Sequence, residues 1–351
     1  MARQQRIGLF FGTFDPVSRS QVSRFLKVLD AGEADQLLIL PVRSCPGQPC
    51  VADAEDRWKM LVAACSRDKR LIPCRLALDR EPADGAALIA VLKKAYPEAK
   101  LYGISEAGTL VKPEFRLCAP ELSAADLSRE LASGEDGSVL DIPVLEYCRC
   151  KGLYGAPGRL ENIDRWISSL FDTLKPRRFA HSLSVAWTAK RLALIHGLDP
   201  LKAEQAGLLH DCAKCLPLSE MQKIARQHAL TDDPRFLEST ALLHSVVGAQ
   251  VAEDRYGMTD PEVLEAIRYH NTGHEGMSRL AMCVCLADSI EPLRYGYSLL
   301  DEVRPLADIS LERAMLVSLG KTAEHVLSLG YYLHPRTENT IRWLESLPEN
   351  Q

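Results

Sequence analysis

The spacing of apolar residues changes along this 351-residue chain, and that change restricts its fold more than any other feature. In the first part, short apolar runs such as RIGLFF and DQLLILPV, typical of buried parallel strands, alternate with segments of helical spacing. The run CRLALDR is predicted as a further strand. After about residue 155 almost every segment has helical spacing, and glycine and proline cluster at the change. The pattern predicts an α/β domain with a doubly wound parallel sheet over residues 1–157 and an all-helical bundle over residues 163–345.

The composition is that of a globular protein without a broad nucleic-acid-binding surface. Hydrophobic residues make up 46% and charged residues 25% of the chain, and its net charge at pH 7 is -5, whereas nucleic-acid-binding domains are commonly basic. No apolar run approaches the roughly 18–20 residues that a membrane span needs. The apolar stretch ahead of Asp15 is too short for a signal peptide. We therefore expect a cytoplasmic protein with no nucleic-acid or membrane partner.

Histidines and aspartates recur at separate points of the helical half. Six of them stand beside apolar residues in segments predicted to be helical: His181, His210, Asp211, His244, His270 and Asp288. Imidazole and carboxylate side chains on core-facing helices are what a bundle uses to build an internal metal site. A lone buried histidine is more often an ordinary core residue, but six such residues together, with an adjacent His-Asp pair among them, favour a metal site.

The cysteines are weaker evidence for a functional site. There are 11, and most lie in apolar segments, where they are expected to be small buried residues in a reducing compartment. Cys212 and Cys215 form a CxxC pair inside a predicted helix. Because no second pair accompanies it, a zinc or redox site is the less favoured interpretation.

The order His … His-Asp … His … His … Asp resembles that of the HD phosphohydrolase superfamily. The surrounding segments RRFAHSLSVAWTAKRLA, AGLLHDCAKCLP, LLHSVVGAQVA, AIRYHNTGHEGMS and CLADSIEPLR resemble its YqeK subgroup, over roughly residues 165–332. This resemblance implies a metal-dependent enzyme that hydrolyses diadenosine tetraphosphate symmetrically to two ADP, at a two-metal centre usually occupied by iron.

The resemblance also implies how the ligands are shared between the two metals. By this resemblance, the first metal would be held by His181, His210 and Asp288, and the second by His244 and His270. Asp211 would bridge the two metals. Four imidazoles with two carboxylates favour a transition metal such as iron, manganese or cobalt over magnesium. Two such metals lower the pKa of water and offset charge on phosphoryl oxygens, so that hydroxide would attack a phosphorus near neutral pH.

A polyphosphate substrate also needs cationic and polar partners. Candidates for catalysis are Asp211, Lys214 and Arg268, and candidates for substrate binding are Arg178, Lys214, Arg268, Thr272 and Gly273. Lys214 lies one turn after the His-Asp pair, and the two arginines precede ligand histidines, so these cations are placed to bind phosphate oxygens. The Thr-Gly pair matches the subgroup at that point. For each cation the alternative is an ordinary surface side chain.

The N-terminal stretch GLFFGTFDPVSRSQ opens a second resemblance, which continues to about residue 155. It is to the nicotinate-mononucleotide adenylyltransferase family, with Arg57 at the place of an arginine in that family's second helix, and it implies a nucleotidyltransferase-like fold. The positions that carry the chemistry differ. Ser18 and Gln21 stand where that family has the two histidines of His-x-Gly-His. In the second motif Ser123 survives, but Ser128 replaces the arginine, and SEAG replaces a Gly-Ala-Asp loop.

Adenylyl transfer depends on positioning and on charge stabilisation of the phosphoryl group. Loss of two imidazoles and a guanidinium therefore predicts a catalytically impaired domain, with Arg19 as the cation that could replace one of them. The sequence as a whole predicts a phosphohydrolase behind a degenerate nucleotidyltransferase-like domain. Two alternatives stay open: a nicotinate-mononucleotide adenylyltransferase with a helical accessory domain, and a non-catalytic nucleotide-sensing protein. A homodimer is also left open.

Overall fold

The computed structural model describes residues 4–44, 49–79, 85–104, 109–114, 117–118, 122, 124–133 and 138–348. The SEAG stretch at 105–108 and Ser123 lie outside the described residues. The chain divides into two compact units, Met1–Ile163 and Asp164–Gln351.

The first unit alternates strands with helices. Its strands are β1 (Arg6–Gly12), β2 (Gln36–Pro41), β3 (Leu71–Pro73), β4 (Lys100–Ile104), β5 (Leu110–Val111) and β6 (Leu117–Cys118). Its helices are α1 (Arg19–Asp30), α2 (Ala54–Cys65), α3 (Gly85–Ala95), α4 (Ala124–Ser133) and α5 (Ile142–Lys151), with 3₁₀ helices at Arg75–Ala77 and Leu153–Gly155.

The sheet places β1 at its centre. The strand order is β3-β2-β1-β4-β5, and β6 also pairs with β1. All pairs are parallel except the antiparallel pair of β4 and β5. On one face Leu9 packs in a cluster with Leu88 and Leu92 of α3, and on the other Phe10 contacts Phe25 of α1, with ring centroids 4.6 Å apart. Helices on both faces make β1 buried on both sides, and the predicted doubly wound, mainly parallel sheet is confirmed.

One predicted strand lies elsewhere. The run CRLALDR was expected to be extended, but the strand is β3, which ends at Pro73, and Arg75–Ala77 forms a 3₁₀ helix. Proline limits continuation of a strand because it lacks a backbone N–H. The side chain of Arg75 then donates to Asp79, at 2.8 Å, which stabilises a turn rather than a strand.

The second unit is helical in all of its described residues that form regular structure. Its helices are α6 (Ile163–Thr173), α7 (Pro176–Ile195), α8 (Pro200–Leu209), α9 (Leu218–Gln227), α10 (Pro234–Leu237), α11 (Thr240–Tyr256), α12 (Pro261–Tyr269), α13 (Arg279–Ile290), α14 (Leu299–Ile309), α15 (Leu311–Ser328) and α16 (Pro335–Ser346). In the part of the chain that the structure describes, we find no helix with both the length and the hydropathy to cross a membrane.

Helix α7 is the central element of this unit. Most of its residues from Phe179 to Ala193 are buried, and it packs against α8 and α13, while α11 packs against α12. The starts of α8 and α12 are fixed by an aspartate N-cap followed by proline: Asp199 accepts hydrogen bonds from the first turn of α8, and Asp260 from the first turn of α12. Such caps satisfy backbone donors that the helix leaves free. The ends of α8 and α12 thus lie in one bundle with α7, α11 and α13.

Candidate metal centre

Five helices of the second unit bring the six predicted ligands together. His181 lies within α7, His244 within α11 and Asp288 within α13. By contrast, His210 and His270 are the C-cap residues of α8 and α12, and Asp211 lies in the turn after α8. The expectation that all six lie inside helices was therefore wrong for these three residues.

The imidazoles of His210 and His270 hydrogen-bond to backbone carbonyls at the ends of α8 and α12. Nδ1 of His210 lies 2.7 Å from the carbonyl oxygen of Gly207, and Nδ1 of His270 lies 2.8 Å from that of Ile267. The last carbonyls of a helix lack an intrahelical partner. A ring N–H that donates to one of them satisfies this acceptor, which explains why both helices end at a histidine.

The other two imidazoles are anchored through the same ring atom. Nδ1 of His244 lies 3.1 Å from the carbonyl oxygen of Thr240, and Nδ1 of His181 lies 3.0 Å from Oε1 of Glu291. With each Nδ1 held by an acceptor, the neutral ring carries its proton there and leaves Nε2 as the metal-binding atom. All four Nε2 atoms therefore point into the cluster, where those of His244 and His270 lie 3.1 Å apart.

The carboxylate of Asp211 lies between two pairs of histidines. Its Oδ2 is 3.4 Å from Nε2 of His210 and 3.9 Å from Nε2 of His181. Its Oδ1 is 3.3 Å from Nε2 of His244 and 3.8 Å from Nε2 of His270. Since each oxygen faces a different pair, this carboxylate has the geometry of a bridge between two metals.

Asp288 completes the first side of the cluster. Its Oδ1 lies 2.9 Å from Nε2 of His181 and 3.9 Å from Nε2 of His210. Three groups of potential ligand atoms in this unit each fall within 4.8 Å of one another: His181, His210 and Asp211; His210, His270 and Asp288; and Asp211, His244 and His270. These distances bring together all six residues that the sequence singled out.

The protonation states suit cation binding. Burial opposes the charge of Asp211 and Asp288, but the imidazoles around them hold the pKa of both carboxyls well below its usual range. Burial lowers the pKa of His244, and burial together with the neighbouring His210 and His244 rings lowers the pKa of His270 to about 3. Burial opposes the charge of His181, but Asp288 and Glu291 raise the pKa of this ring, so metal binding there would displace a proton. Ionised carboxylates beside neutral His244 and His270 form a donor set ready for a divalent cation.

The buried polar atoms of the cluster test whether metals fit. Nε2 of His181, Nε2 of His210 and Oδ1 of Asp211 are buried and make no hydrogen bond of good geometry, although Nε2 of His181 lies 2.9 Å from Oδ1 of Asp288. Buried polar atoms without a partner are rare, because each costs roughly 1–3 kcal/mol. These three atoms all point into the cluster, where a bound cation would satisfy them. The residues therefore fit a centre of transition-metal ions.

A cavity of about 510 Å³ opens beside the cluster. Its lining residues are Lys175, Arg177, Arg178, His181, Lys214, Cys215, Glu291, Leu293 and Arg294. Five of these carry a positive charge, and the carboxylate of Glu291 is the only negative charge among the lining residues. A cavity of this charge next to a metal centre is suited to a polyanion such as a polyphosphate.

Two of the predicted phosphate ligands line this cavity. Nη1 of Arg178 donates to Oδ2 of Asp211 at 2.5 Å. Nζ of Lys214 lies 3.0 Å from Nε2 of His244 and 3.9 Å from Oδ1 of Asp211, and burial lowers its pKa. Both cations thus contact the cluster on one side and the cavity on the other.

The other predicted phosphate ligands lie elsewhere. Arg268 is half-buried on α12 and is not among the residues that line the cavity. Thr272 is 1% exposed, and its hydroxyl donates to the carbonyl of Gly273 at 3.0 Å. Gly273 has a φ of +62°, and a Cβ there would come within 2.7 Å of Cγ2 of Thr340. In this structure the Thr-Gly pair packs against α16, and its role in substrate binding stays a prediction.

Sequence reasoning missed Lys175, Arg177 and Arg294. Arg294 donates to Oδ1 of Asp288 at 2.9 Å, and the negative charge of Asp288 raises the pKa of the guanidinium against the effect of burial. The segment CLADSIEPLR contains Arg294 close to Asp288, but only Asp288 of this segment was predicted as a site residue. Because α13 ends just before Glu291, the chain turns back and returns Arg294 to the ligand six residues earlier.

In the first unit, the residues that replace the two expected histidines form a helix cap. Oγ of Ser18 accepts from the backbone N–H of Gln21 at 3.0 Å, and Oε1 of Gln21 accepts from the backbone N–H of Ser18 at 3.0 Å. This reciprocal capping box begins α1. Both side chains are buried, at 1% and 4% exposure, and both are engaged in this cap.

The cations near that loop are also held by the protein. Nε of Arg19 lies 3.6 Å from Oδ1 of Asp141. Arg129, one residue after Ser128, lies 3.2 Å from Asp126 on the same helix and is 75% exposed. Arg57 is almost fully buried and donates to the carbonyls of residues 13, 42 and 43. Arg57 therefore joins the segments that follow β1 and β2.

The CxxC pair does not form a disulfide. Cys212 is buried, and its thiol donates to the carbonyl of Gly248 at 3.3 Å. Cys215 is partly exposed and lines the cavity. The other cysteines whose side chains the structure describes form no disulfide either.

Comparisons with known proteins agree with this geometry. A family model described as "HD domain" matches residues 178–293, the range from Arg178 to just past Glu291. The chain is 35% identical over 190 residues to "Bis(5'-nucleosyl)-tetraphosphatase, symmetrical" of Bacillus subtilis, a match that covers 53% of this chain and 98% of that protein.

Two further similarities cover one or both units. The chain is 36% identical to the crystal structure of a "predicted HD superfamily hydrolase involved in NAD metabolism" from Clostridium acetobutylicum, with a TM-score of 0.52 over 53% of this chain and 98% of that one. It is 26% identical over 355 residues to a "Probable nicotinate-nucleotide adenylyltransferase/Ap4A hydrolase" of Mycoplasma genitalium, which covers 90% of this chain and 97% of that protein.

Proposed function

The chain belongs to the HD-domain family that contains the symmetrical bis(5'-nucleosyl)-tetraphosphatases, and we propose that it hydrolyses diadenosine tetraphosphate and water to two ADP. The observation that carries the proposal is the position of Asp211 between two pairs of imidazoles, with its two oxygens facing different pairs. This arrangement supports the use of two metal ions rather than one.

Six side chains would hold the metals: His181, His210, Asp211, His244, His270 and Asp288. Bound there, two divalent ions would supply Lewis acidity and activated water. We propose iron as the metal, since imidazole-rich donor sets with carboxylates suit iron, manganese or cobalt. The low pKa of Asp211 and Asp288 keeps both carboxylates ionised for this purpose.

The cavity supports a polyphosphate substrate. Arg178 and Lys214 contact Asp211, and Arg294 contacts Asp288, so each of these cations reaches from the ligands toward the cavity. Guanidinium groups can bind two phosphate oxygens at once. The reaction joins the oxygen of water to one central phosphorus, and the other ADP leaves as the phosphoanhydride bond breaks. The cations would hold the flanking phosphates and offset the charge of the departing ADP.

We further propose that the first unit does not catalyse adenylyl transfer. Its two replaced histidine positions serve as a capping box, and Arg19 is paired with Asp141. Neither arrangement offers the fixed positive charge that a phosphoryl transfer needs. The described cysteine side chains form no disulfide, which is in keeping with a reducing compartment, so we propose a cytoplasmic location.

The test is turnover of diadenosine tetraphosphate by the purified full chain, with and without added Fe²⁺ or Mn²⁺, with products separated by ion-exchange chromatography. We expect ADP as the sole product, and in ¹⁸O-labelled water we expect one of the two ADP molecules to carry the label. Equal amounts of ATP and AMP, or no turnover with any of these metals, would contradict the proposal.

A parallel assay with ATP and nicotinate mononucleotide tests the first unit. We expect no dinucleotide to form. Measurable synthesis would favour the second candidate, a bifunctional protein, for which the similarity to the Mycoplasma genitalium protein over both units is the supporting observation.

A further inference from the structure

The four imidazoles of the metal centre are not held alike. Nδ1 of His210, His244 and His270 each faces a neutral backbone carbonyl of the residue's own helix. Nδ1 of His181 instead faces a carboxylate, Oε1 of Glu291, at 3.0 Å. A charged acceptor makes a stronger hydrogen bond than a neutral one, so His181 is distinguished from the other three ligands.

Glu291 is itself held in place. It follows α13 as the C-cap residue, is 1% exposed, and its Oε2 accepts from the backbone N–H of Leu293 at 2.6 Å. Its backbone carbonyl accepts from Nη2 of Arg304 at 3.0 Å. Since both the carboxylate and the main chain are bonded, Oε1 is fixed toward His181, although Glu291 also lines the cavity.

The end of α13 therefore contacts both nitrogens of one ring. Asp288 lies 2.9 Å from Nε2 of His181, and Glu291, three residues later, lies 3.0 Å from its Nδ1. Of these two carboxylates, Asp288 also groups with the ligands His210 and His270, whose ligand atoms lie within 4.8 Å of its own. The two acids thus have different tasks, although both contact the same imidazole.

We infer that Glu291 is a positioning residue that fixes the tautomer and orientation of His181, so that Nε2 of this ring binds metal. This role rests on the proposed metal-dependent function of the same site. Removal of a carboxylate behind a metal-binding histidine typically weakens metal affinity by about 10–100-fold. The expected loss concerns the metal held by His181, whereas the second site keeps its affinity.

The test is titration of the metal-free full chain with Co²⁺, followed by visible absorption, in the wild type and in Glu291→Gln and Glu291→Ala. We expect one of two binding steps to weaken by about 10–100-fold in Glu291→Ala and by less in the isosteric Glu291→Gln, which keeps an acceptor oxygen. Glu312→Gln is the matched control, because Glu312 is a half-buried carboxylate paired with Arg279 at 3.0 Å, away from the ligands.

A second readout is the Nδ1 proton of His181 in the Zn²⁺-loaded full chain, from two-bond ¹H–¹⁵N NMR spectra. We expect an Nδ1–H signal that exchanges slowly with water in the wild type and rapidly in Glu291→Ala, which lacks the acceptor. Co²⁺ affinity in folded Glu291→Gln and Glu291→Ala within twofold of wild type, or an equally slow Nδ1–H signal in Glu291→Ala, overturns the inference. Failure of the wild type itself to bind Co²⁺ would contradict the proposed function instead.

Discussion

Gly207 of α8 lies directly against Ala186 of α7. A Cβ on Gly207 would come within 2.9 Å of Cα and 3.0 Å of N of Ala186, closer than real Cβ atoms approach a backbone. The carbonyl of the same glycine accepts the hydrogen bond from His210. Close contact of α7 with α8 at this point therefore sets the distance between His181 and His210, whose ring centroids are 5.2 Å apart.

Gly207→Ala is expected to destabilise the protein by about 1–3 kcal/mol, the usual cost of overpacking, and to weaken metal binding because His210 would shift with α8. Urea unfolding and Co²⁺ titration measure the two effects. Gly248→Ala is the matched control: a Cβ there would meet the carbonyl oxygen of His210 at 3.4 Å, an ordinary contact. We expect it to be neutral or to stabilise the helix by about 0.5–1 kcal/mol. Equal effects of the two substitutions would contradict the packing argument.

Asp211→Asn is expected to reduce hydrolysis by more than about 10²–10³-fold, the range for loss of one preorganised electrostatic group. The amide cannot offer two anionic oxygens to the two pairs of imidazoles, so we also expect fewer than two metal ions per chain by elemental analysis. Asp308→Asn, at a partly exposed carboxylate paired with Arg191 at 2.8 Å, controls for the loss of one charge. Wild-type metal content in Asp211→Asn would rule out a bridging role.

The cavity predicts different effects for two arginines. Arg294→Ala removes a charge that contacts both Asp288 and the cavity, and a lost charged hydrogen bond of about 1.5–3 kcal/mol lowers kcat/KM by roughly 10–150-fold. Arg268→Ala is expected to change kcat/KM by less than about threefold, because Arg268 does not line the cavity. Steady-state kinetics with diadenosine tetraphosphate compares the two. A larger effect at Arg268 would favour its role as a phosphate ligand.

Glu265 stabilises the loop that follows His270 through contacts with His274 and Ser278. Its Oε1 lies 2.8 Å from Nε2 of His274 and accepts from the backbone N–H of Ser278 at 3.2 Å. Burial opposes its charge, but the hydrogen bonds from His274 and Ser278 lower the pKa of Glu265 below its usual value. Since the native carboxyl then binds a proton less readily than the unfolded one, its stabilising contribution is complete above the unfolded pKa, about 4.3. It is lost as the pH falls through the lower native pKa.

Glu265→Gln should accordingly cost about 1 kcal/mol of unfolding free energy at pH 7. The difference from wild type should shrink progressively below about pH 4.3, when the wild-type carboxyl also becomes neutral. Urea unfolding at several pH values, with Glu312→Gln as the comparison, checks this. A difference that is constant with pH would show that the charge of Glu265 does not matter.

Much of the fold follows from local pattern. The apolar runs of β1 and β2 and the helical spacing of α7, α11 and α13 appear in the sequence because each element buries residues at its own period. Three helices of the second unit, α10, α14 and α16, were not predicted. Helix α10 has only four residues, too few to show a helical period. Helix α14 contains an internal proline, Pro305, which normally argues against a helix. Helix α16 buries only a few residues, Thr337, Thr340 and Leu344 among them, so that its apolar periodicity is weak.

The candidate site was likewise predicted only in part. The ligands could be identified from the sequence because six histidine and aspartate side chains recur in apolar segments, and a resemblance gave their order. Arg294 and Glu291 could not be placed, because their contacts depend on the turn at the end of α13, which brings together residues that a continued helix would separate. Arg268 was a candidate from its nearness to His270 in sequence, but two residues along a helix point about 200° apart.

The capping box in the first unit leads to the last prediction. Ser18→Ala and Gln21→Ala should each destabilise the first unit by about 0.5–2 kcal/mol, as for other helix caps. Because the two hydrogen bonds are reciprocal, the double variant should cost less than the sum of the single ones. Ser278→Ala, which removes the one-way cap of α13 at 3.2 Å, shows the cost of an ordinary cap. Thermal unfolding of the three variants and the double variant measures these energies. A neutral Ser18→Ala, together with loss of nucleotide binding to the full chain, would instead assign this serine to a ligand site and leave the adenylyltransferase alternative in place.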